Sequence, residues 1–270
     1  MEKKPPIKKH NSPIKYFGGK GTMFNKIFEY FPEEYTTYVE PFAGSFSLGL
    51  KQSCPIEIYN DLEQNVFTLY KVLADPILFE KFKFLADLYP YSQDFRQDFK
   101  DKLKENDNLS EIDKAFYFFY VNRTSHNGVG GFSINSVIRR KMSKSTSDYL
   151  SAVDRLEELH QRLSKVIILN KDGIAVIEKY DNPNTLIYCD PPYHHTTRTA
   201  ARYKQDMSSD EQLIFLETVN KSSSKILISG YKNEIYDQYL KDWEEINFEV
   251  KTISGKFEKK TKIETLWRNY

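Results

Sequence analysis

The sequence predicts an α/β fold, an open sheet of short strands that holds its ligands at the strands' carboxyl ends. Three stretches predict it. Thr185–Cys189 is an apolar run too short for a helix, so it reads as a buried strand, and it leads directly into Asp190-Pro191-Pro192-Tyr193. Thr37 to Asp61 reads as a strand, a turn of small residues, a helix and a second strand ending in an acid. From Lys165 to Trp267, short apolar runs alternate with helical ones.

The first stretch organises the rest. Pro191 and Pro192 stop the strand, because neither has an amide hydrogen for the ladder. Asp190 and Tyr193 are thereby set at the carboxyl end of a central strand, where open α/β sheets bind ligands. A carboxylate and the Pro191 carbonyl can each accept one hydrogen of an exocyclic amine, and Tyr193 can stack on the ring that bears it. The same residues also suit a plain strand-ending turn with a solvated acid.

Composition narrows the classes. At 270 residues, 40% hydrophobic and 29% charged, the chain can bury a substantial core and is globular. It has no apolar run near the roughly 18–20 residues of a membrane span. Met1 to Ile14 is polar and shows no secretory signal. The two cysteines, Cys54 and Cys189, make no disulfide framework or zinc site and suit a reduced, intracellular setting. With a net charge of +1, contact with a polyanion must come from local patches.

In chain order, Lys15-Tyr16-Phe17-Gly18-Gly19-Lys20 sets an aromatic pair before a glycine turn with a lysine. Lys20 can meet a carboxylate, and Tyr16 can cover a purine or a sulfonium. A helix is expected from Thr22 to about Tyr30. Glu40-Pro41-Phe42-Ala43-Gly44 then ends the first strand in a turn from which a helix is expected to start, a place where backbone amides reach a ligand. Asp61 ends the next strand 17 residues beyond Gly44. In nucleotide-binding βαβ units an acid roughly 20 residues on holds ribose hydroxyls. The Gly-x-Gly-x-x-Gly fingerprint of dinucleotide sites is missing, which favours an adenosine without pyrophosphate.

Leu62 to Arg123 is expected to be mainly helical, with Phe116 to Tyr120 as a core helix. It leads into a donor- and glycine-rich loop containing Arg123, Ser125 and Asn127, and then a basic tract of Arg139, Arg140 and Lys141. Arg123 to Lys144 holds five basic residues and no acid, which suits phosphate contact. Tyr149 to Leu163 reads as one amphipathic helix. A strand follows at Lys165–Leu169, ending near Asp172, then a short helix. His194 to Met207 reads as a lid, and the pair His194-His195 has no third ligand spaced to hold a metal. A helix capped by Ser208 or Ser209, strands at Lys225–Gly230, Ile246–Ile253 and Ile263–Trp267, a helix at Asn233–Leu240 and a lysine-rich turn at Gly255–Lys262 complete the chain.

Taken in this order, Lys15-Tyr16-Phe17-Gly18-Gly19-Lys20, Glu40-Pro41-Phe42-Ala43-Gly44-Ser45, Asn60-Asp61, Asn122-Arg123 with Asn127-Gly128, and Asp190-Pro191-Pro192-Tyr193 resemble the Dam-type DNA adenine methyltransferases across nearly the whole chain. The resemblance implies a seven-stranded Rossmann-like methyltransferase sheet with a mainly helical target-recognition insertion. Residues 1–75 and 165–270 would form the catalytic domain that binds S-adenosylmethionine, and 76–164 the insertion. Tyr16, Phe17, Gly18, Lys20, Glu40, Pro41, Phe42 and Gly44 would surround the cofactor, with Lys20 near its carboxylate. Asp61 would hold the ribose, and Asp172 would lie near the cofactor's adenine. Asp190, Pro191, Pro192 and Tyr193 would hold the target base, with Asp190 also bordering the cofactor. Arg123, Ser125, Asn127, Arg139, Arg140 and Lys141 would meet double-stranded DNA.

The family's Phe-x-Gly-x-Gly turn here has Phe46 in place of its second glycine, a side chain that either crowds the cofactor or turns into the core. The implied setting is the cytoplasm, with a prokaryotic or phage-encoded enzyme, a restriction endonuclease as a candidate partner, and no metal. Two other readings use the same residues: methylation of cytosine N4 or another planar amine, and a non-catalytic DNA-binding relative.

Overall fold

Strands that must be covered on both faces read as continuous apolar runs, and the strands Ile167–Leu169, Thr185–Cys189 and Lys225–Gly230 of this protein are largely such runs. A computed structural model describes residues 10–15, 20, 23–105, 108–192, 207–254 and 258–270, the side chains of 250–254 and 258–262 excepted. Seven strands form one sheet: β1 (Thr37–Glu40), β2 (Ile56–Asn60), β5 (Ile167–Leu169), β6 (Thr185–Cys189), β7 (Lys225–Gly230), β8 (Glu244–Ser254) and β9 (Glu258–Arg268), in the spatial order β5-β2-β1-β6-β7-β9-β8. The first five in that order are parallel, and β9 and β8 add an antiparallel hairpin at one edge. All five residues of β6 are buried, as expected of a central strand.

The strand order reverses between β1 and β6. The chain runs outward from β1 through β2 to β5, and outward the other way from β6. In open α/β sheets the crevice at such a reversal is the ligand site.

Helices cover both faces. α1 (Phe24–Phe28) is shorter than the expected Thr22–Tyr30. α8 (Gly173–Lys179), α9 (Ser209–Lys221) and α10 (Glu234–Tyr239) link the later strands. Ser208 caps α9 and closes a capping box with Glu211. Between β2 and β5 lies a block of six helices, α2 (Gln64–Ala74), α3 (Pro76–Leu88), α4 (Gln93–Glu105), α5 (Glu111–Thr124), α6 (Lys144–Val153) and α7 (Leu156–Leu163), with a two-strand hairpin, β3 (Ile138–Arg139) and β4 (Met142–Ser143). Phe116, Phe119 and Tyr120 of α5 are buried, as the aromatic row predicts. None of the described helices is long and apolar enough to cross a membrane.

Three expectations are corrected. The single helix Tyr149–Leu163 is two, broken at Asp154–Arg155. The lysine-rich turn is shorter, since β9 begins at Glu258. The helix expected after Gly44 is absent: 41–51 is a run of turns. Gly44 at φ 47° and Phe46 at φ 49° lie in the left-handed region, which a right-handed helix cannot accommodate.

Candidate active site

The turn that replaces that helix is tied down on every side. Its Ala43 amide donates to the Asn60 carbonyl at 2.9 Å, and the Tyr70 hydroxyl reaches the Ser45 carbonyl at 2.5 Å. Glu40, 3% exposed, accepts from the Gly49 amide at 2.6 Å and the Tyr38 hydroxyl at 2.7 Å through the same oxygen. From α7, Arg162 pairs with Glu57 at 2.6 Å and also donates to the Gly49 carbonyl at 2.7 Å. Glu40 therefore braces the turn from behind.

Asp61 joins the turn to the end of β2. Its carboxylate accepts from the Gly44 amide at 2.6 Å and from the Glu63 amide at 2.8 Å. Burial pushes its carboxyl up to about 6, against the pull of those two amides. Asn60 staples the neighbouring loops: its amide group donates to the carbonyls of Pro41, at 2.7 Å, and Lys171, at 2.9 Å, and its oxygen accepts from the Lys171 amide at 2.9 Å. Asp172 is exposed and caps α8 by accepting from Ile174 at 2.7 Å. The ring of Phe42 lies so close to Gly173 that a Cβ there would come within 2.3 Å of it. Phe42 and Asp172 are thus side by side.

Across the strand reversal, Asp190 follows β6. Its Oδ1 accepts from the Ser229 hydroxyl at 3.0 Å and lies 3.4 Å from the Lys20 ammonium. Ser229 also shares a hydrogen with the Tyr188 hydroxyl at 2.7 Å. Lys20, 6% exposed, makes a direct ion pair with Glu264 of β9. Burial works against its charge, but Asp190, Tyr188 and Glu264 together hold the ammonium above its usual range. Lys20 thus lies between two protein carboxylates, Asp190 and Glu264. Pro191 is buried and Pro192 half-buried. Tyr16, Phe17, Gly18 and Tyr193 lie outside the described residues. Because β2, β1 and β6 are consecutive neighbours, Asp61 and Asp190 follow strand ends about 10 Å apart in the sheet.

The helical block also holds the N-terminal segment at Lys15. Its amide donates to Asn122 Oδ1 at 2.7 Å, and Asn122 Nδ2 donates back to the Lys15 carbonyl at 2.8 Å, joining segments 107 residues apart. Lys15 Nζ also reaches the carbonyls of Arg123 and Ser125.

The family model for D12 class N6 adenine-specific DNA methyltransferases matches residues 16–256. The chain belongs to this family. Among its relatives are three that match over about nine-tenths of both chains. Type II methyltransferase M.MjaIII of Methanocaldococcus jannaschii is 24% identical over 266 residues, 90% of each chain. Type II methyltransferase M.CviBI of Paramecium bursaria Chlorella virus NC1A is 24% identical over 90% of this chain and 93% of its own. The DNA adenine methylase of Serratia marcescens is 23% identical over 88% of each.

In this methyltransferase the residues expected at DNA divide into two groups. Arg139, Arg140 and Lys141 are exposed on the β3–β4 hairpin, where Arg139 pairs with Asp148 at 2.8 Å and Arg140 with Asp154 at 3.4 Å. Asn127 is exposed at φ 52°. Arg123 and Ser125 are both buried. Arg123 donates to the Asp148 carbonyl at 3.0 Å, and burial, with Arg155 nearby, lowers its guanidinium to about 10. The Ser125 hydroxyl is held by Arg96 at 3.0 Å and the Val121 carbonyl at 2.6 Å. They shape the loop from inside.

Sequence reasoning assigned no role to Ser229 or Glu264, nor to Asn60 beyond its place in a motif. Each carried a signal. Ser229 ends an apolar strand as Asp190 does, and Glu264 is a lone acid inside the apolar run Ile263–Trp267, facing the core with Leu266.

Proposed function

We propose that this methyltransferase moves a methyl group from S-adenosylmethionine to the exocyclic N6 amine of an adenine turned out of duplex DNA, and that Asp190 and the Pro191 carbonyl accept the two amine hydrogens. The observation that carries the reading is the seat of Asp190: a carboxylate at the strand reversal, one oxygen fixed by Ser229 and Lys20.

S-adenosylmethionine supplies an electrophilic sulfonium methyl. The residues at the ends of β1, β2 and β5 fit an adenosine. Asp61 is a carboxylate held in place by two backbone amides, which suits the paired hydroxyls of a ribose. Gly44 at φ 47° turns the chain in a left-handed conformation that glycine takes without strain. Phe42 packed on Gly173 offers a flat wall beside Asp172. Phe46 is fully buried and leaves this approach clear. Lys20, committed to Asp190 and Glu264, acts on the target side rather than on the donor's carboxylate.

The amine of adenine is a weak nucleophile because its lone pair is delocalised into the ring. Two acceptors on its hydrogens favour a tetrahedral nitrogen and stabilise the positive charge that grows on it. Holding the nitrogen in line with methyl and sulfur supplies much of the remaining acceleration. Extruding the base costs about a few kcal/mol, and stacking on Tyr193 offsets part of that. Residues 76–164 serve as the target-recognition insertion, with the Arg139–Lys141 hairpin meeting phosphates. A restriction endonuclease is the partner that the type II names of two relatives suggest.

The test is incubation with labelled S-adenosylmethionine and unmethylated duplex DNA, followed by nucleoside analysis. Label in N6-methyladenine is expected; label in N4-methylcytosine, or none, overturns the reading. Asp190→Ala should keep S-adenosylmethionine binding and lose transfer by about a hundredfold or more. Transfer retained above that level removes Asp190 from its role.

A further inference from the structure

We propose that Glu264 is a positioning residue for methyl transfer: it takes up the charge of Lys20, so that the negative charge of Asp190 stays available to the reacting amine. The inference rests on the role given to Asp190 above.

The starting point is a buried lysine touching the reacting carboxylate. The Lys20 ammonium lies 3.4 Å from Asp190 Oδ1, and Lys20 is 6% exposed. A lysine alone in that place would form a neutral pair with Asp190. That is the wrong balance for this reaction, because the amine nitrogen turns positive as it takes the methyl group. A neutral pair offers that nitrogen little, whereas a site with net negative charge stabilises it.

Glu264 changes the balance. It is as buried as Lys20, at 6% exposure, and makes a direct ion pair with it. The three side chains then carry two negative charges and one positive. A buried carboxylate is costly unless it is paired. Its position follows from register: β9 pairs with β7 so that Leu266 faces Ser229 and Thr265 faces Gly230, which sets Glu264 beside the end of β7. Ser229, from that same end, holds the Asp190 oxygen that Lys20 also approaches. The lysine is therefore a strut between two carboxylates, and Ser229 fixes the geometry of the one that meets the base.

A double-mutant cycle tests this, with single-turnover rates measured at saturating S-adenosylmethionine and DNA. Glu264→Gln should slow transfer about tenfold or more, while the dissociation constants for S-adenosylmethionine and for DNA stay within about twofold. Glu264→Asp should recover part of the lost rate. A carboxylate buried without its cation is not kept charged, so in a Lys20→Met background Glu264→Gln should cost nothing further. A Glu264→Gln enzyme as fast as the parent overturns the proposal, and so does an equal loss in both backgrounds. If Glu264→Gln does not fold, the comparison of Lys20→Met with Lys20→Met/Glu264→Gln still decides: a further tenfold loss in the double variant overturns the proposal. Asp190→Ala, measured alongside, separates the two claims. An active Asp190→Ala enzyme defeats the reading of the site itself, whereas an inactive one with an unaffected Glu264→Gln enzyme defeats the role of Glu264 alone.

Discussion

Phe46 turns its ring into the core and meets Tyr59 edge-on, with 5.3 Å between ring centroids, although its own backbone sits at φ 49°. A bulky residue in the left-handed region costs about 1–2 kcal/mol. Gly49 makes room for the ring, since a Cβ there would lie 2.1 Å from it. The position is therefore a trade between backbone strain and buried aromatic surface. Phe46→Gly relieves the strain but loses a buried ring, a loss of about 3–5 kcal/mol. Net destabilisation of about 1–4 kcal/mol is expected in urea unfolding. A midpoint that rises would mean that the strained backbone outweighs the ring.

Asp61, proposed to hold the ribose, also fixes the turn through the amides of Gly44 and Glu63. Asp61→Ala leaves the amides of Gly44 and Glu63 without their acceptor, a cost of about 1–3 kcal/mol, and should weaken S-adenosylmethionine binding tenfold or more. The pH dependence has a definite sign. With its carboxyl pushed up to about 6, Asp61 takes up a proton as pH falls through that value and loses acceptor strength. Affinity for S-adenosylmethionine should fall from pH 7 to pH 5 in the parent enzyme and stay flat in Asp61→Asn. Calorimetric titration at three pH values distinguishes these outcomes.

The corner at Asp190 is legible in sequence because a strand cannot continue through two prolines, and its place at the ligand-binding edge follows from fold rules alone. The parallel strands β5, β6 and β7 are legible because each is a short, largely apolar run. Other features depend on contacts between distant residues. Lys20 and Glu264 are 244 residues apart and meet only because β9 turns back beside β7. Arg123 reads as a surface cation until the packing of α5 against the Lys15 segment and α6 encloses it. Composition does not show either event. The turn after Glu40 misleads because its small residues and glycines also suit a helix start, and the positive φ at Phe46 is a choice made by core packing.

The hairpin that carries the basic tract is built on unfavourable residues. Arg140 at φ 54° and Lys141 at φ 60° hold the two left-handed positions of a two-residue turn, where Asn-Gly is preferred. Such strain is often kept where side chains serve a function. Arg140→Asn with Lys141→Gly should stabilise the protein by about 1 kcal/mol or more while weakening DNA binding. The salt slope of DNA binding should flatten by about 0.9 for each phosphate that the hairpin no longer neutralises. Binding curves between about 50 and 200 mM salt provide the check. A stabilised variant with an unchanged slope would remove the hairpin tip from the DNA interface.

Glu40 makes a separate prediction about stability. Burial pushes its carboxyl up to about 8; the hydrogen bonds from Tyr38 and Gly49 pull the other way, and the charges of Asp190 and Glu57 add to the rise. In the unfolded chain the same group titrates near about 4.3. Between those values the folded protein holds a proton that the unfolded chain has lost, so stability falls as pH rises across the window and levels off above it. Glu40→Gln keeps an oxygen for the Tyr38 hydroxyl and the Gly49 amide and has no proton to lose. The parent should lose about 1–3 kcal/mol more than Glu40→Gln between pH 5 and pH 8, a figure set below the linkage limit of about 1.4 kcal/mol per pH unit. Urea unfolding of both proteins at pH 5, 7 and 9 measures it. Because Asp61 titrates in both proteins, the difference between them isolates Glu40. Parallel curves would mean that Glu40 stays ionised in the core, its charge stabilised by its two donors.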